Sequence, residues 1–132
     1  MSDARPPAIR SWRRPVWIAY WLALFTVTHL PPAQASRWSF HLPDTLLHGG
    51  SYAALAWVCV WAQRGRFFDA ASRPRAVAYA AWFAVFLGYG AFDELTQPYF
   101  GRHCQLTDWL ADAAGVLLGL GIAAALGSRR RG

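Results

Sequence analysis

The sequence predicts an all-α fold, a four-helix polytopic transmembrane bundle with both termini in the cytoplasm. Three observations lead to this prediction: an apolar composition, four apolar stretches and an alternating distribution of arginine. Hydrophobic residues make up 55% of the 132 residues, charged residues make up only 15%, and lysine is absent. A soluble domain of this size needs more polar surface, whereas lipid covers the outside of a membrane protein.

Four apolar stretches supply the predicted helices, at residues 16–30, 46–62, 76–92 and 109–126. The first is followed directly by Pro31-Pro32. Each is roughly 15 to 18 residues long, close to the lower limit of about 17 to 25 residues for a membrane-spanning helix. Tryptophans lie near the ends of the stretches, as is typical of the membrane interface. They are Trp12, Trp17, Trp38, Trp61 and Trp109.

Arginine is concentrated on alternate connections between these stretches. Four arginines precede the first stretch, four lie between the second and third, and three follow the fourth. They are Arg5, Arg10, Arg13 and Arg14, then Arg64, Arg66, Arg73 and Arg75, and finally Arg129, Arg130 and Arg131. Only Arg37 and Arg102 lie on the other connections. Because positive residues favour the cytoplasmic side, both termini are predicted to be cytoplasmic and the loops around 31–43 and 98–107 extracytoplasmic.

One domain is expected, with a transmembrane part at 15–126 between basic cytoplasmic tails at 1–14 and 127–132. The net charge of +6 is also compatible with nucleic-acid binding. Short arginine runs between apolar stretches are typical of membrane anchors, however, so the expected partner is membrane lipid and not nucleic acid. An alternative for the N-terminus is a signal peptide cleaved near Ala33-Gln34-Ala35, which leaves the orientation of the other helices unchanged.

Five of the seven acidic residues lie at the predicted extracytoplasmic ends of helices two, three and four. They are Asp44, Asp93, Glu94, Asp108 and Asp112, and His48 lies beside them. Asp3 and Asp69 are in cytoplasmic segments. Ionisable groups within a membrane cost free energy and tend to face a protein interior or a wet cavity. The sequence therefore predicts an outward-facing polar pocket.

Helical spacing arranges these polar residues in two layers. Asp44 and His48, Asp93 and Gln97, and Asp108 and Asp112 are each four residues apart, so the members of a pair share one helix face. Asp44, Gln97 and Asp108 are predicted to form an outer layer, and His48, Asp93 and Asp112 an inner one. A small residue also recurs at every fourth position of the last helix, at Ala111, Gly115, Gly119, Ala123 and Gly127. This stripe predicts close helix packing and directs the two aspartates into the bundle.

Structural roles remain an alternative for each of these residues. Asp44, Asp108 and Thr107 are candidates for helix N-caps. Capping does not explain Asp93 and Glu94, because acidic groups at a helix C-terminus oppose the helix dipole. A positive partner is needed there, and Arg102 is the predicted one. Polar contacts that only hold the bundle together are a further alternative.

At these positions the sequence resembles the VanZ-like family of small bacterial membrane proteins. The pattern is an Asp, a His four residues later and an aromatic residue four further on, then Asp-Glu-x-x-Gln, a loop Arg, an Asp, a second Asn or Asp and a Gly. Here these residues are Asp44, His48, Tyr52, Asp93, Glu94, Gln97, Arg102, Asp108, Asp112 and Gly115. The resemblance covers residues 15–126 and departs from the pattern twice. Thr45 stands where a lysine often follows the first Asp, and Asp112 stands where Asn is commoner.

The resemblance implies a protein of the bacterial cytoplasmic membrane with a role in the cell envelope. The family's namesake is associated with lowered susceptibility to the glycopeptide teicoplanin. The family has no secure biochemical activity, so the resemblance by itself assigns no reaction to this chain.

Three functions fit the polar residues. The first is an enzyme, a hydrolase or transferase acting on an envelope lipid or lipid-linked saccharide, in which His48 is a general acid or base oriented by Asp93 or Asp112. The catalytic candidates are His48, Asp93, Glu94 and Asp112, and the binding candidates are Asp44, Gln97, Arg102 and Asp108. Arg102 would clamp a phosphate or carboxylate. The sequence contains no Gly-x-Ser-x-Gly or His-Glu-x-x-His motif.

The second function is a non-catalytic binder of an envelope molecule, using Arg102, Gln97 and the loop aromatics Trp38, Phe40, Tyr99 and Phe100. The third is a structural bundle or a proton or ion relay, since intramembrane carboxylates and histidines commonly serve one. The carboxylates with His48 also suit a divalent metal cofactor such as Mg²⁺, Mn²⁺ or Ca²⁺. The oligomeric state is left open by these patterns.

Overall fold

The structure is a computed structural model that describes residues 12–35, 42–64, 68 and 74–128. Its helices are α1 (Arg13–Thr28), the short α2 (Pro32–Ala35), α3 (Asp44–Gln63), α4 (Arg75–Thr96) and α5 (Leu106–Ser128), with a 3₁₀ helix (Gln97–Phe100) directly after α4. The described ranges contain no strand, so the all-α prediction is confirmed. Some residues named above lie outside these ranges: Asp3, Arg5, Arg10, Arg37, Trp38, Phe40, Arg66, Asp69, Arg73, Arg129, Arg130 and Arg131.

The helix ends differ from the ends of the apolar stretches for simple reasons. α1 stops at Thr28, before the predicted Leu30, because a residue that precedes a proline is disfavoured in the helical conformation. α4 continues past the predicted end at 92 to Thr96. Asp93 and Glu94 are buried in this last turn, so polar residues continue a helix that the apolar pattern ends too early.

Two described helical segments are long and apolar enough to cross a membrane, judged by length and composition. They are Arg75–Phe100, with 26 residues, and Leu106–Gly127, with 22 residues. Two such helices suggest a membrane protein. α1 has 16 residues and is therefore about 24 Å long, less than the roughly 30 Å of a hydrocarbon core.

The most extensive helix contact joins α3 and α5. A side-chain carbon on Gly115 would collide with the backbone of Gly49, and one on Gly119 would collide with the backbone of Ala53. The two backbones therefore touch at two successive turns, which confirms the predicted close packing of the small residues on α5. Larger buried side chains, Leu55, Val60, Val116 and Leu120 among them, fill the core around this contact.

α1 and α4 lie against the central pair. α1 packs on α3, where the Tyr20 hydroxyl donates a hydrogen bond to the Ser51 carbonyl at 3.0 Å, and α4 packs on α5. Aromatic side chains fill the space between α1 and α4; the ring centroids of Trp21 and Tyr89 are 5.1 Å apart. α1 and α4 end at the same end of the bundle at which α3 and α5 begin, and this end carries the polar residues.

Candidate functional site

Buried polar side chains from all four long helices and the 3₁₀ helix meet at one end of the bundle. We call this set the polar cluster: Thr28, His29, His48, Asp93, Glu94, Gln97, Asp108 and Asp112, each at most 9% exposed. Six of the eight sequence-predicted site residues lie in it. Asp44 lies at its rim, with a carboxylate oxygen within 4.8 Å of ligand atoms of His48 and Asp108, and Arg102 contacts Asp44. Helical spacing explains this convergence, because it places the polar residues of α3 and α5 on the faces that pack together.

His48 is the centre of the polar cluster. Its Nδ1 atom lies 3.1 Å from Asp112 Oδ1, within hydrogen-bonding distance, and 3.7 Å from Glu94 Oε1. Of the two predicted orienting partners, Asp112 is therefore the one in contact. Two carboxylates from different helices converge on a single ring nitrogen, an arrangement suited to sharing a positive charge.

Asp93 instead joins α4 to α1. Its Oδ1 atom accepts a hydrogen bond from the Thr28 hydroxyl at 2.9 Å and lies 3.6 Å from His29 Nδ1. Its Oδ2 atom accepts a weaker bond from Gln97 Nε2 at 3.4 Å. Asp93 thus holds the end of α1 against the polar cluster and does not orient His48.

Glu94 connects α4 to the start of α5. Its Oε2 atom accepts a hydrogen bond from the backbone N–H of Gln105 at 2.9 Å, while its Oε1 atom faces His48 and Gln97. The prediction that Arg102 compensates Asp93 and Glu94 is wrong. Their partners are the Thr28 hydroxyl, two histidines, the Gln97 amide and this backbone N–H, because the chain turns away after the 3₁₀ helix.

Arg102 lies at the rim of the polar cluster. Gly101 adopts φ 76°, a left-handed conformation that favours glycine, and turns the chain so that Arg102 reaches the start of α3. There its guanidinium donates a hydrogen bond to Asp44 Oδ2 at 3.1 Å. The Asp44 side chain is 48% exposed, so this ion pair is accessible from outside the bundle.

Of the residues predicted to form the outer layer, Asp44 is exposed, whereas Asp108 and Gln97 are buried. Asp108 Oδ1 accepts a hydrogen bond from the Thr45 hydroxyl at 3.3 Å, next to the Asp44 position. Gln97 is buried and its amide turns back onto Asp93 and Glu94.

The alternative of N-capping is not realised by the two aspartates. α3 begins after Pro43 without a side-chain cap, and Asp44 is the first helical residue. Asp108 lies inside the first turn of α5, two residues after Leu106. Both carboxylates contact side chains from other segments, so each remains a candidate for a functional role.

Sequence reasoning missed two members of the polar cluster, Thr28 and His29. The His29 ring is buried, with Nε2 2.8 Å from Thr96 Oγ1 and Nδ1 2.8 Å from the Phe25 carbonyl oxygen. The same criterion that selected His48, an ionisable residue at the extracytoplasmic end of an apolar stretch, would have found His29. Because both its ring nitrogens have local partners, we assign His29 a structural role.

We expect Thr28→Val to lower the free energy of unfolding by about 1–3 kcal/mol, because the substitution keeps the side-chain shape but removes a buried donor to Asp93. Thermal unfolding of the purified protein in detergent measures the change. Thr26→Val is the matched control, since Thr26 is exposed and bonds only to the Leu22 carbonyl of its own helix. Equal losses in the two variants would show that the bond between α1 and α4 has no stabilising effect.

Two sets of side chains in this region have the composition of a cation site. One is Asp44, His48 and Asp108, and the other is His48, Glu94 and Asp112, with the ligand atoms of each set within 4.8 Å of one another. The second set is fully buried, whereas Asp44 is exposed. His48 is common to both sets.

Comparison of the chain with protein-family models, with curated proteins and with solved structures gives no match.

Proposed function

We propose that the chain is a VanZ-like protein of the bacterial cytoplasmic membrane that crosses the membrane four times and takes the polar head of an envelope lipid or lipid-linked saccharide at its extracytoplasmic side. The observation that carries the proposal is the polar cluster itself. Buried carboxylates and a histidine, assembled at one end of apolar helices, are costly to maintain and commonly mark a functional site.

The exposed faces of the helices support four crossings. Large apolar side chains point outward on α1, including Val16, Ile18, Leu22 and Val27, and on α5, including Leu117, Leu118 and Ile122. An exposed apolar surface of this kind needs lipid or a partner to cover it. α1 is short for a full crossing, and local thinning of the bilayer compensates for such a mismatch at modest cost.

The described arginines support the orientation. Arg13, Arg14, Arg64 and Arg75 lie at the ends of α1, α3 and α4 that are opposite the polar cluster, and Arg102 lies at the cluster end. By the positive-inside rule the cluster faces outward. Both termini are then cytoplasmic.

The rim of the polar cluster supports an anionic ligand. The Arg102–Asp44 ion pair is partly exposed, and exposed ion pairs contribute little stability, so a ligand can replace Asp44 as the partner of Arg102. A guanidinium binds phosphate or carboxylate through two parallel hydrogen bonds. Tyr99 and Phe100 are exposed beside it and offer apolar contact to a lipid or a sugar ring.

A membrane-embedded enzyme for the same class of lipid is the second candidate. The contact of His48 with Asp112 favours it, because a histidine held by a carboxylate is a common general acid or base. In this alternative the lipid head bound at Arg102 would lie above His48, and the reaction would be hydrolysis or group transfer. The resemblance to the VanZ-like family adds teicoplanin susceptibility as a phenotype to test.

To test ligand recognition, we would compare Arg102→Gln with Asp44→Asn in protein reconstituted in lipid nanodiscs. The probe is a polyprenyl-phosphate-linked saccharide, and native mass spectrometry measures its binding. Arg102→Gln is expected to weaken binding at least about tenfold, the effect of losing a charged hydrogen bond. Asp44→Asn breaks the same ion pair but leaves the guanidinium, so this variant should bind at least as tightly as the wild type.

Equal losses in both variants would mean that the ion pair is structural, and no binding by the wild type would overturn the proposal. Teicoplanin susceptibility of a host that expresses each variant, read together with membrane abundance, relates binding to phenotype.

A further inference from the structure

We propose that His48, Glu94 and Asp112 bind a divalent cation through one imidazole nitrogen and two carboxylates. The proposed ion lies inside the polar cluster, and its binding does not depend on whether the chain binds an envelope lipid or lipid-linked saccharide. Mixed nitrogen and oxygen ligands of this kind suit Mn²⁺, which accepts carboxylates readily and tolerates imidazole.

The two distances from His48 Nδ1 to the carboxylates are close to those expected between ligands of one ion. Ligand atoms bound at about 2.1 Å to the same ion lie roughly 3.0–3.5 Å from one another. His48 Nδ1 is 3.1 Å from Asp112 Oδ1 and 3.7 Å from Glu94 Oε1. His48 Nδ1 carries at most one proton and cannot donate equally good hydrogen bonds to both carboxylates. A cation between the side chains would instead contact the ring nitrogen and both carboxylates.

Unpartnered polar atoms beside these residues are an independent observation. Asp112 Oδ2 and the Tyr52 hydroxyl are buried and have no hydrogen-bond partner among the described residues, and Tyr52 is 0% exposed. Tyr52 lies one turn after His48 on the same face of α3, and helix side chains lean towards the N-terminus, so its hydroxyl points towards the polar cluster. A cation with a bound water would give both atoms a partner.

The excess of carboxyl groups over histidines in the polar cluster also favours a bound cation. Four carboxyl groups of the polar cluster are buried, on Asp93, Glu94, Asp108 and Asp112, against two histidines. Arg102 does not offset them, because it pairs with the exposed Asp44. Uncompensated buried charge is costly, and a divalent cation supplies positive charge where two of the carboxylates already converge.

A cation and a proton exclude each other at His48 Nδ1. A cation-loaded cluster therefore corresponds to a metal-dependent form of the enzyme alternative, in which His48 is a ligand and not a base. The ligand atoms of a metal must be deprotonated, so binding displaces any proton held on His48 Nδ1 or on the two carboxylates, while the imidazole keeps a proton on Nε2.

The test is a Mn²⁺ titration of the full chain, purified in detergent and freed of metal with a chelator. Electron paramagnetic resonance measures the free Mn²⁺. We expect one ion per chain, with Glu94→Gln and Asp112→Asn each weakening binding at least about tenfold, since even outer residues of metal sites change affinity by 10- to 100-fold. His48→Gln should have the same effect, while His103→Gln, at an exposed histidine, is the matched control and should bind normally.

Thermal unfolding with and without Mn²⁺ separates lost binding from lost folding. The melting temperature of the wild type should rise with the ion, and that of folded Glu94→Gln should rise less at the same Mn²⁺ concentration. The proposal is overturned if folded wild type binds no Mn²⁺ at millimolar concentration, or if the Glu94 and Asp112 variants bind Mn²⁺ as tightly as the wild type. Loss of binding in Asp44→Asn alone would assign the ion to the Asp44, His48 and Asp108 set and also overturn it. Mn²⁺ binding without lipid binding would contradict only the proposed function.

Discussion

Gly119→Ala should lower the free energy of unfolding by about 1–3 kcal/mol or more and reduce the amount of folded protein in the membrane. The added carbon would meet the backbone of Ala53, which cannot rotate away as a flexible side chain does. Gly115→Ala should behave alike, because its added carbon would meet the backbone of Gly49. Alanine is more favourable than glycine within a helix by about 1 kcal/mol. A net loss of stability would therefore show that the clash between α5 and the backbone of α3 outweighs this gain.

Gly121→Ala is the control for this prediction, because Gly121 lies on the same helix and a carbon added there meets no atom within 4 Å. This variant should be as stable as the wild type or more so. Membrane abundance and the melting temperature in detergent measure all three variants. If Gly121→Ala and Gly119→Ala lost stability equally, an effect other than the α3–α5 contact, such as membrane insertion, would be responsible.

Asp93→Ala should be still more damaging, with an expected loss of about 3–5 kcal/mol, as for other buried charged partners that are removed. The change leaves Thr28 and Gln97 without their shared acceptor and His29 without its neighbouring carboxylate. Asp93→Asn keeps one acceptor oxygen and should lose less. Thermal unfolding of the purified variants, together with their membrane abundance, gives the comparison.

Asp44→Ala provides the reference for Asp93→Ala, because it removes a half-exposed carboxylate that makes only a rim ion pair. Its expected cost is about 0–1 kcal/mol. Should Asp93→Ala prove as stable as Asp44→Ala, the bond from Thr28 would not hold α1 in place. If Asp93→Asn stayed abundant and lost an envelope phenotype, the carboxylate would have a functional role in addition to its structural one.

The sequence was sufficient to predict the helices and most of the candidate site. The apolar stretches located all four long helices, because the length and composition of such a stretch can be read from consecutive residues without knowledge of contacts between helices. Spacing by four placed His48 and Asp112 on faces that meet, because the small residues on α5 determine which side of that helix packs.

Contacts between side chains on different segments were harder to predict. Arg102 was assigned to Asp93 and Glu94 but pairs with Asp44, because the left-handed turn at Gly101 decides where the loop leads. Gln97 was expected beside Asp44 and Asp108, but its amide donates hydrogen bonds to Asp93 and Glu94 on the preceding turn. Spacing determines which face of one helix a residue occupies, whereas its partner depends on the rotation of the next helix and on the loop between them.

The α3–α5 contact has a consequence for the biosynthesis of the protein. Ribosomes make α3 and its His48 well before α5, so His48 lacks Asp112 until α5 has been inserted. If the helices cross a membrane as proposed, α3 and α4 are then in the bilayer with Glu94 and His48 incompletely neutralised, a state that proteases and insertion chaperones can recognise. Docking of Gly115 and Gly119 onto α3 brings Asp112 to His48. The last assembly event thus completes the site, and chains interrupted before α5 should be degraded and not accumulate as partly active protein.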